Sequence, residues 1–359
     1  MRGLKTLATL AIAAVLMLTA CGSAQNVGGA DKTTALVLPN TASTTAITPS
    51  ATAAPTQAPT TTPSPAPSPT ATIIPSPTAT NTPKAKCGGP PTLTILVVGS
   101  YPTLYGMGDA IRLIRVDFVH QRVAIVPIPR DLYVDLPWDS PYPSPVKITS
   151  AYFLGTPAMQ RGAPRDGGAK LLAATIQYNF GIKIDRYFVA SADGFRKFID
   201  AIGGIPVYIP YRIYDPPSNS NFYPGAQYLN GYQALALARA RQDRGGFVRA
   251  ERQGWIMKGI LKSLAEPETL KHIPEIFKVF KSSIITNLTP KDIAEFVCLY
   301  GNMLAHKQEA EVFNVPDKLV RGTREWIFIG KEPHTAFVVK WDERYRKWLH
   351  EALGGEISP

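Results

Sequence analysis

The chain has 359 residues, 45% of them hydrophobic, with 38 Lys plus Arg against 27 Asp plus Glu and a formal net charge of +11. That length suits one large domain with its own core, and the charge favours anionic partners. The 5 histidines are scattered, with none in a nucleophile elbow or a metal-spaced cluster, so the usual hydrolase readings are poor.

The N-terminus, "MRGLKTLATLAIAAVLMLTACGS", sets Arg2 and Lys5 ahead of an apolar run from Leu7 to Leu18 that is short for a membrane-spanning helix. Residues 1–20 read as a signal peptide. The segment Leu18-Thr19-Ala20-Cys21-Gly22 resembles a bacterial lipobox, so lipidation at Cys21 is expected to anchor the mature chain to the outer face of the cell membrane. Ordinary secretory cleavage near "TAC" and a retained N-terminal helix are the alternatives; an extracytoplasmic location follows either way. Removing Arg2 and Lys5 takes the charge from +11 to +9. Outside a bacterial membrane that excess points to anionic lipids and wall polymers, and no nucleic-acid partner is expected. With Cys21 acylated, Cys87 and Cys298 remain as a candidate disulfide, a buried free thiol at Cys298 being the alternative.

Residues 21–87 are mostly Thr, Pro, Ser and Ala, as in "TQAPTTTPSPAPSPTATIIPSPTATNTP", and contain too little to bury. They read as a disordered stalk. At about 3 Å per residue, some sixty residues of extended chain reach on the order of 150 Å, enough to enter a cell wall.

Residues 88–350 read as one α/β domain of mixed α+β character, helices covering a central sheet, with a tail at 351–359. "LTILVVGS" is a buried strand, and "AIRLIRVDFVHQRVAIVPIPRD" is a hairpin ending in the Pro129-Arg130-Asp131 turn. "DGGAKLLAATIQYNFGI" is a helix stopped at Gly181, followed by the strand "DRYFVAS", the helix "ADGFRKFIDAIGG" and the strand "IPVYIP". In "LNGYQALALARAR", Asn230 and Gln233 have the spacing of a capping box. If the chain turns into a strand near Ala238, Arg239 and Arg241 share one face. In the helix "VRAERQGWIMKGILKSL", Arg249, Arg252 and Gln253 lie at i, i+3 and i+4 and share a face.

With Arg244 this makes five arginines between residues 239 and 252. Arginine presents a planar fork of donors that fits phosphate, and a helix N-terminus adds its own amides, so the set suits a pyrophosphate. Surface ion pairs with Asp243, Glu251 or Asp185 are the plainer reading, each worth about 0–1 kcal/mol.

The segments "VPIPRDLYVDL", "KITSAYFLG", "IKIDRYFVASADGFRKFIDAIGGIPVYIP" and "LNGYQALALARARQDRGGFVRAERQ", in this order between Leu93 and Pro316, resemble the LytR-CpsA-Psr family of cell-envelope phosphotransferases. The resemblance implies a membrane-anchored extracytoplasmic α/β domain with an apolar groove for a polyprenyl tail. It also implies transfer of a lipid-linked anionic glycopolymer onto peptidoglycan, releasing polyprenyl phosphate. By position, Arg130, Arg239, Arg241 and Arg249 fall on the family's phosphate-gripping arginines, with Gln253 beside them and Lys147 as a further basic position. Asp109 of "GMGDAI" falls on the second of two magnesium-site aspartates. Tyr101 stands where the first is usual, and Met107 where an arginine is usual. Asp109 and phosphate oxygens are then the expected ligands of Mg2+, and Arg130, Asp109, Arg239 and Arg241 the expected catalytic set. A noncatalytic lipoprotein that binds a polyprenyl-phosphate-linked or anionic wall polymer is the alternative. An adhesion or DNA-uptake protein is a third.

Overall fold

In the computed structural model the described residues are 85–241, 246–265 and 283–355. The signal peptide, Cys21, the stalk up to residue 84, Arg244 and residues 356–359 of the tail lie outside them.

Three antiparallel strands open the fold: β1 (Thr92–Tyr101), β2 (Met107–Asp117) and β3 (Arg122–Ile128). The β2–β3 turn closes where the Asp117 carboxylate accepts from the N–H groups of Val119 and His120, at 2.9 and 2.8 Å. The chain continues through the short pair β4 (Tyr133–Val134) and β5 (Val146–Lys147), then α1 (Ile148–Leu154) and α2 (Gly167–Phe180). Gly181, at φ 72°, ends α2 in the left-handed conformation that glycine adopts without strain. Next come β6 (Arg186–Ser191), parallel to β1, and α3 (Ala192–Ala201). Two ribbons follow, β7 (Ile205–Ile209) paired with β10 (Gly225–Leu229), and β8 (Ile213–Asp215) with β9 (Ser220–Phe222). Then come α4 (Gly231–Arg239), α5 (Gly246–Ala265), β11 (Ile284–Thr286), α6 (Pro290–Ala305) and β12 (Glu311–Val312). A hairpin, β13 (Val320–Ile329) and β14 (Glu332–Trp341), precedes α7 (Glu343–Ala352).

The central sheet has the order β11-β6-β1-β2-β3-β12. Because it is covered on both faces, β1 reads as a continuous apolar run. Leu93, Ile95 and Val97 pack with Phe198 of α3, Leu237 of α4, Ile256 of α5 and Phe296 of α6. Leu96 and Val98 face the other way, onto Tyr152 of α1, Ile176 of α2 and Leu349 of α7. The architecture is therefore the expected α/β arrangement, a mixed sheet between helical layers.

Cys87 is bonded to Cys298 of α6, with Cα atoms 5.5 Å apart, so the pair expected as one of two alternatives is formed. One expectation is corrected. No strand begins at Ala238: the Asn230–Gln233 capping box starts α4, and the helix runs through Arg239. Only Ala240 leaves it, at φ −58° and ψ 133°. Ala and Leu favour the helix, and local propensity outlasts the strand pattern there.

Candidate anion-binding site

Asp109 owes its place to an irregularity in the sheet. Across β1 and β2, Gly99 faces Ala110 and Ser100 faces Gly108, which leaves Asp109 as the extra residue of a β-bulge. A bulge re-aims the side chain it carries. Gly108 keeps β2 close to α1, since a Cβ there would stand 2.9 Å from that of Tyr152. The Asp109 side chain is buried and ion-paired with Arg130, and its backbone carbonyl accepts from Arg249 Nη2 at 2.9 Å.

Arg130 lies in the turn after β3. Its carbonyl accepts from the N–H of Thr149 at 3.1 Å, and Leu132 O from Ile148 N at 2.9 Å, so the turn is pinned to the start of α1. Asp131 braces the site from below: Lys147 Nζ donates to its Oδ1 at 2.8 Å, and Arg130 Nε lies 3.8 Å from its Oδ2. Lys147 therefore joins the cluster through Asp131.

Arg239 and Arg241 flank Ala240, which is fully buried, and both emerge beside it. The single extended residue Ala240, at the C-terminus of α4, separates the two arginines in place of the expected strand. Arg252, also fully buried, donates to Ala240 O at 2.9 Å and fixes that residue. Gln253 accepts from Arg112 Nη2 at 3.4 Å and donates to Ala238 O at 3.5 Å, which makes it a strut under the end of α4. Asp215, 2% exposed, accepts the Arg241 N–H at 2.7 Å. The Arg239 guanidinium lies over the ring of Tyr101, 4.9 Å from its centroid.

The structure thus gathers Asp109, Arg130, Arg241 and Arg249 at one point. Burial raises the Asp109 carboxyl above its ordinary range, opposed by Arg130, Arg249 and Arg241 and reinforced by Asp131. Burial also lowers Arg241, and the Arg130 charge pushes it the same way against the pull of Asp109, Asp131 and Asp215. Arg112, wholly enclosed, is pushed down to about 10 by desolvation. A site that desolvates several guanidinium groups around two carboxylates carries excess positive charge and suits a multiply charged anion.

The chain matches the LytR_cpsA_psr family over residues 81–339, well over half of its length. It belongs to that family. The regulatory protein MsrR of Staphylococcus aureus (strain Mu50 / ATCC 700699) is 28% identical over 232 residues, covering 63% of this chain and 65% of that protein. The polyisoprenyl-teichoic acid–peptidoglycan teichoic acid transferase TagV of Bacillus subtilis (strain 168) is 28% identical over 255 residues, 69% of this chain and 60% of that protein. The chain thus spans about two thirds or less of the length of these relatives. The crystal structure of B. subtilis TagV superposes with a TM-score of 0.53 at 25% identity, covering 74% of this chain and 98% of the other.

The expected protein donor for magnesium is Asp109, and Asp131 is the other carboxylate of the cluster. Among the described residues no group of three or more His, Cys, Asp or Glu side chains gathers. Tyr101 gives its ring to Arg239, and a phenol is a poor ligand for a hard cation. Asp109 fits as a single carboxylate aimed into the cluster, the arrangement in which Mg2+ takes most of its other ligands from phosphate and water.

Sequence reasoning passed over Asp131, Asp215 and Arg112. Asp215 sits in the loop-like "YDPPSNSN", and nothing local marks it as the support of a residue 26 positions later. The apolar run "AIRLIRV" carries two arginines, Arg112 and Arg115, and nothing local tells the enclosed Arg112 from the half-buried Arg115. Phe195, Phe198 and Ile199 of α3 and Ile256, Met257 and Ile260 of α5 are all fully buried core.

Proposed function

We propose that the chain is an extracytoplasmic phosphotransferase, lipid-anchored at Cys21, that moves an anionic glycopolymer from a polyprenyl pyrophosphate carrier onto peptidoglycan in cell-wall assembly. The observation that carries this reading is the burial of Arg241 beside Arg130, two like charges kept together against desolvation. Such an arrangement has a use when an anion of matching charge enters. The relative TagV is named for transfer of teichoic acid from a polyisoprenyl-linked form to peptidoglycan, which supports the same substrate classes here.

In this reading Arg130, Arg241 and Arg249 grip the pyrophosphate, Arg239 holds an outer oxygen, and Lys147 adds charge through Asp131. A sugar hydroxyl of peptidoglycan attacks the phosphorus that bears the glycopolymer. The new P–O bond forms as the bond to the bridging oxygen breaks, and polyprenyl phosphate leaves. Such a transfer depends on positioning and charge neutralisation more than on a protein nucleophile. When Mg2+ is bound, Asp109 and phosphate oxygens hold it, and it supplies further neutralisation. Without it, the Asp109 carboxylate would accept the hydroxyl proton. The polyprenyl tail is placed in an apolar groove on family resemblance.

Tyr101 favours a second reading, a binder of the same lipid-linked polymer without turnover. Mass spectrometry of lipids extracted from the purified protein tests the shared premise. Polyprenyl phosphate or pyrophosphate should copurify with the wild type and be lost from Arg130→Ala. A protein that neither carries such a lipid nor binds it when added refutes both readings.

A further inference from the structure

We propose that the outer face of residues 205–232 is a docking surface for an uncharged glycan chain, the sugar backbone of a cell-wall polymer. The identity of that polymer rests on the function proposed above; the surface itself does not. This stretch holds six of the chain's 15 tyrosines, and five of them are exposed: Tyr208 at 68%, Tyr214 at 59%, Tyr223 at 64%, Tyr228 at 63% and Tyr232 at 53%. Buried rings would need no explanation; so many exposed ones in one short stretch do, and exposed aromatic surface gathered on neighbouring elements marks a binding site.

The folding of the stretch explains why the rings point outward together. In the β7–β10 ribbon, Tyr208 faces Ala226 and Tyr228 faces Pro206, so the two tyrosines are diagonal neighbours on one side. The other side of the ribbon, Ile205, Val207, Ile209 and Leu229, is core. In the β8–β9 ribbon Tyr214 stands opposite Asn221. Arg212 lies over Tyr223, 4.0 Å from its ring centroid, and 5.8 Å from that of Tyr214, which holds the two rings in place. Asn219 donates to the hydroxyl of Tyr232.

Charge decides the occupant. In a chain of net charge +11, residues 205–232 contain two charged side chains, Arg212 and Asp215. Asp215 is buried and bound to the Arg241 N–H, so the outer face presents one cation among rings, amides and hydroxyls. An anionic lipid surface or a phosphate polymer would select clustered Lys and Arg. A sugar chain asks instead for flat rings to cover its C–H faces and for neutral donors and acceptors to meet its hydroxyls, and rigid amphipathic tyrosines supply both.

The stretch adjoins the supports of the arginine site along the chain. Tyr214 and Asp215 are adjacent on β8 with side chains on opposite sides, the second supporting Arg241. Along α4, Tyr232 and Arg239 are seven residues apart, about 10 Å at 1.5 Å per residue. A glycan held at Tyr232 would therefore lie within a few sugar units of Arg239.

The test uses the full chain carrying Cys21→Ala in every arm, so that an acyl chain plays no part. Wild-type protein should cosediment with peptidoglycan sacculi stripped of attached polymers, and not with phosphatidylglycerol vesicles. Tyr208→Ser with Tyr228→Ser, and separately Arg212→Ser with Tyr223→Ser, should each weaken sacculus binding at least tenfold. Tyr178→Ser, at an exposed ring on α2 outside this stretch, should leave it unchanged. Sacculus binding that both double variants retain overturns the proposal, and so does wild-type binding to vesicles that the same substitutions abolish. Should a double variant fail to melt cooperatively, NMR on the wild type decides: saturation passing from tyrosine ring protons to soluble β-1,4-linked N-acetylglucosamine oligomers upholds the surface, and no transfer removes it. Wild-type protein that binds the lipid but no glycan sinks this inference alone; wild-type protein that binds the glycan but no lipid sinks the proposed function alone.

Discussion

Replacing Arg241 by methionine separates a ligand site from a structural ion-pair cluster, because the two readings give opposite signs for stability. Methionine keeps the main-chain N–H, so the bond to Asp215 at 2.7 Å survives. What disappears is a partly buried cation whose charge is opposed by desolvation and by Arg130. Removing a charge that the free fold disfavours should stabilise it by about 0.5–1 kcal/mol, as substitutions at functional sites commonly do. For a domain of this size that is about 1–4 °C in Tm. Binding should move the other way: a charge-assisted bond to phosphate is worth about 1.5–3 kcal/mol, and at tenfold per 1.4 kcal/mol affinity should fall about 10- to 150-fold. Thermal melts without ligand and a binding titration with polyprenyl pyrophosphate measure both. A lower Tm with unchanged affinity would refute the argument and leave Arg241 as a structural ion-pair member.

Three further outcomes are expected. Arg239→Lys should weaken polyprenyl pyrophosphate binding about tenfold or more with little change in Tm, because an ammonium cannot reproduce the guanidinium fork or its stacking on Tyr101; unchanged affinity would remove Arg239 from the site. For Asp109, burial raises the folded pKa, so its contribution to stability is full below the ordinary carboxylate range and lost as pH rises through the raised value. Asp109→Asn should accordingly gain stability relative to wild type between about pH 4 and pH 7 while losing transfer; a wild-type advantage that grows over that range would contradict the assignment. Reducing the Cys87–Cys298 bond, which closes a sequence separation of 211 residues, should cost about 2–5 kcal/mol, and an unchanged urea midpoint would count against it.

Most of the fold was legible because its signals are local and repeat. The apolar run of β1, the glycine after α2 and the Asn230–Gln233 box each state an element within a few residues. The arginines were legible for a similar reason, since a guanidinium cluster among small apolar residues has few uses. The end of α4 was misread because alternation in "ALARAR" mimics a strand, while the feature that sets Ala240 apart, a carbonyl held by buried Arg252, comes from another helix. Asp131, Asp215 and Arg112 escaped for the same cause. Each acts across the fold on a residue remote in sequence, and a lone Asp in a loop gives no sign of it. Asp109 was found by family position, but its bulge, which aims the carboxylate, appears only in the pairing of β1 with β2.

The central claim is that these arginines hold a lipid-linked pyrophosphate for transfer. The direct measurement incubates the purified full chain with a radiolabelled polyprenyl-pyrophosphate-linked glycopolymer and peptidoglycan sacculi, then counts label in the sacculi and polyprenyl phosphate in the lipid phase. The account requires both products to appear in equal amounts with the wild type and to fall at least tenfold together with Arg130→Ala and Arg241→Met. Tight binding of the donor with no label in the sacculi would contradict it and identify a binding protein instead.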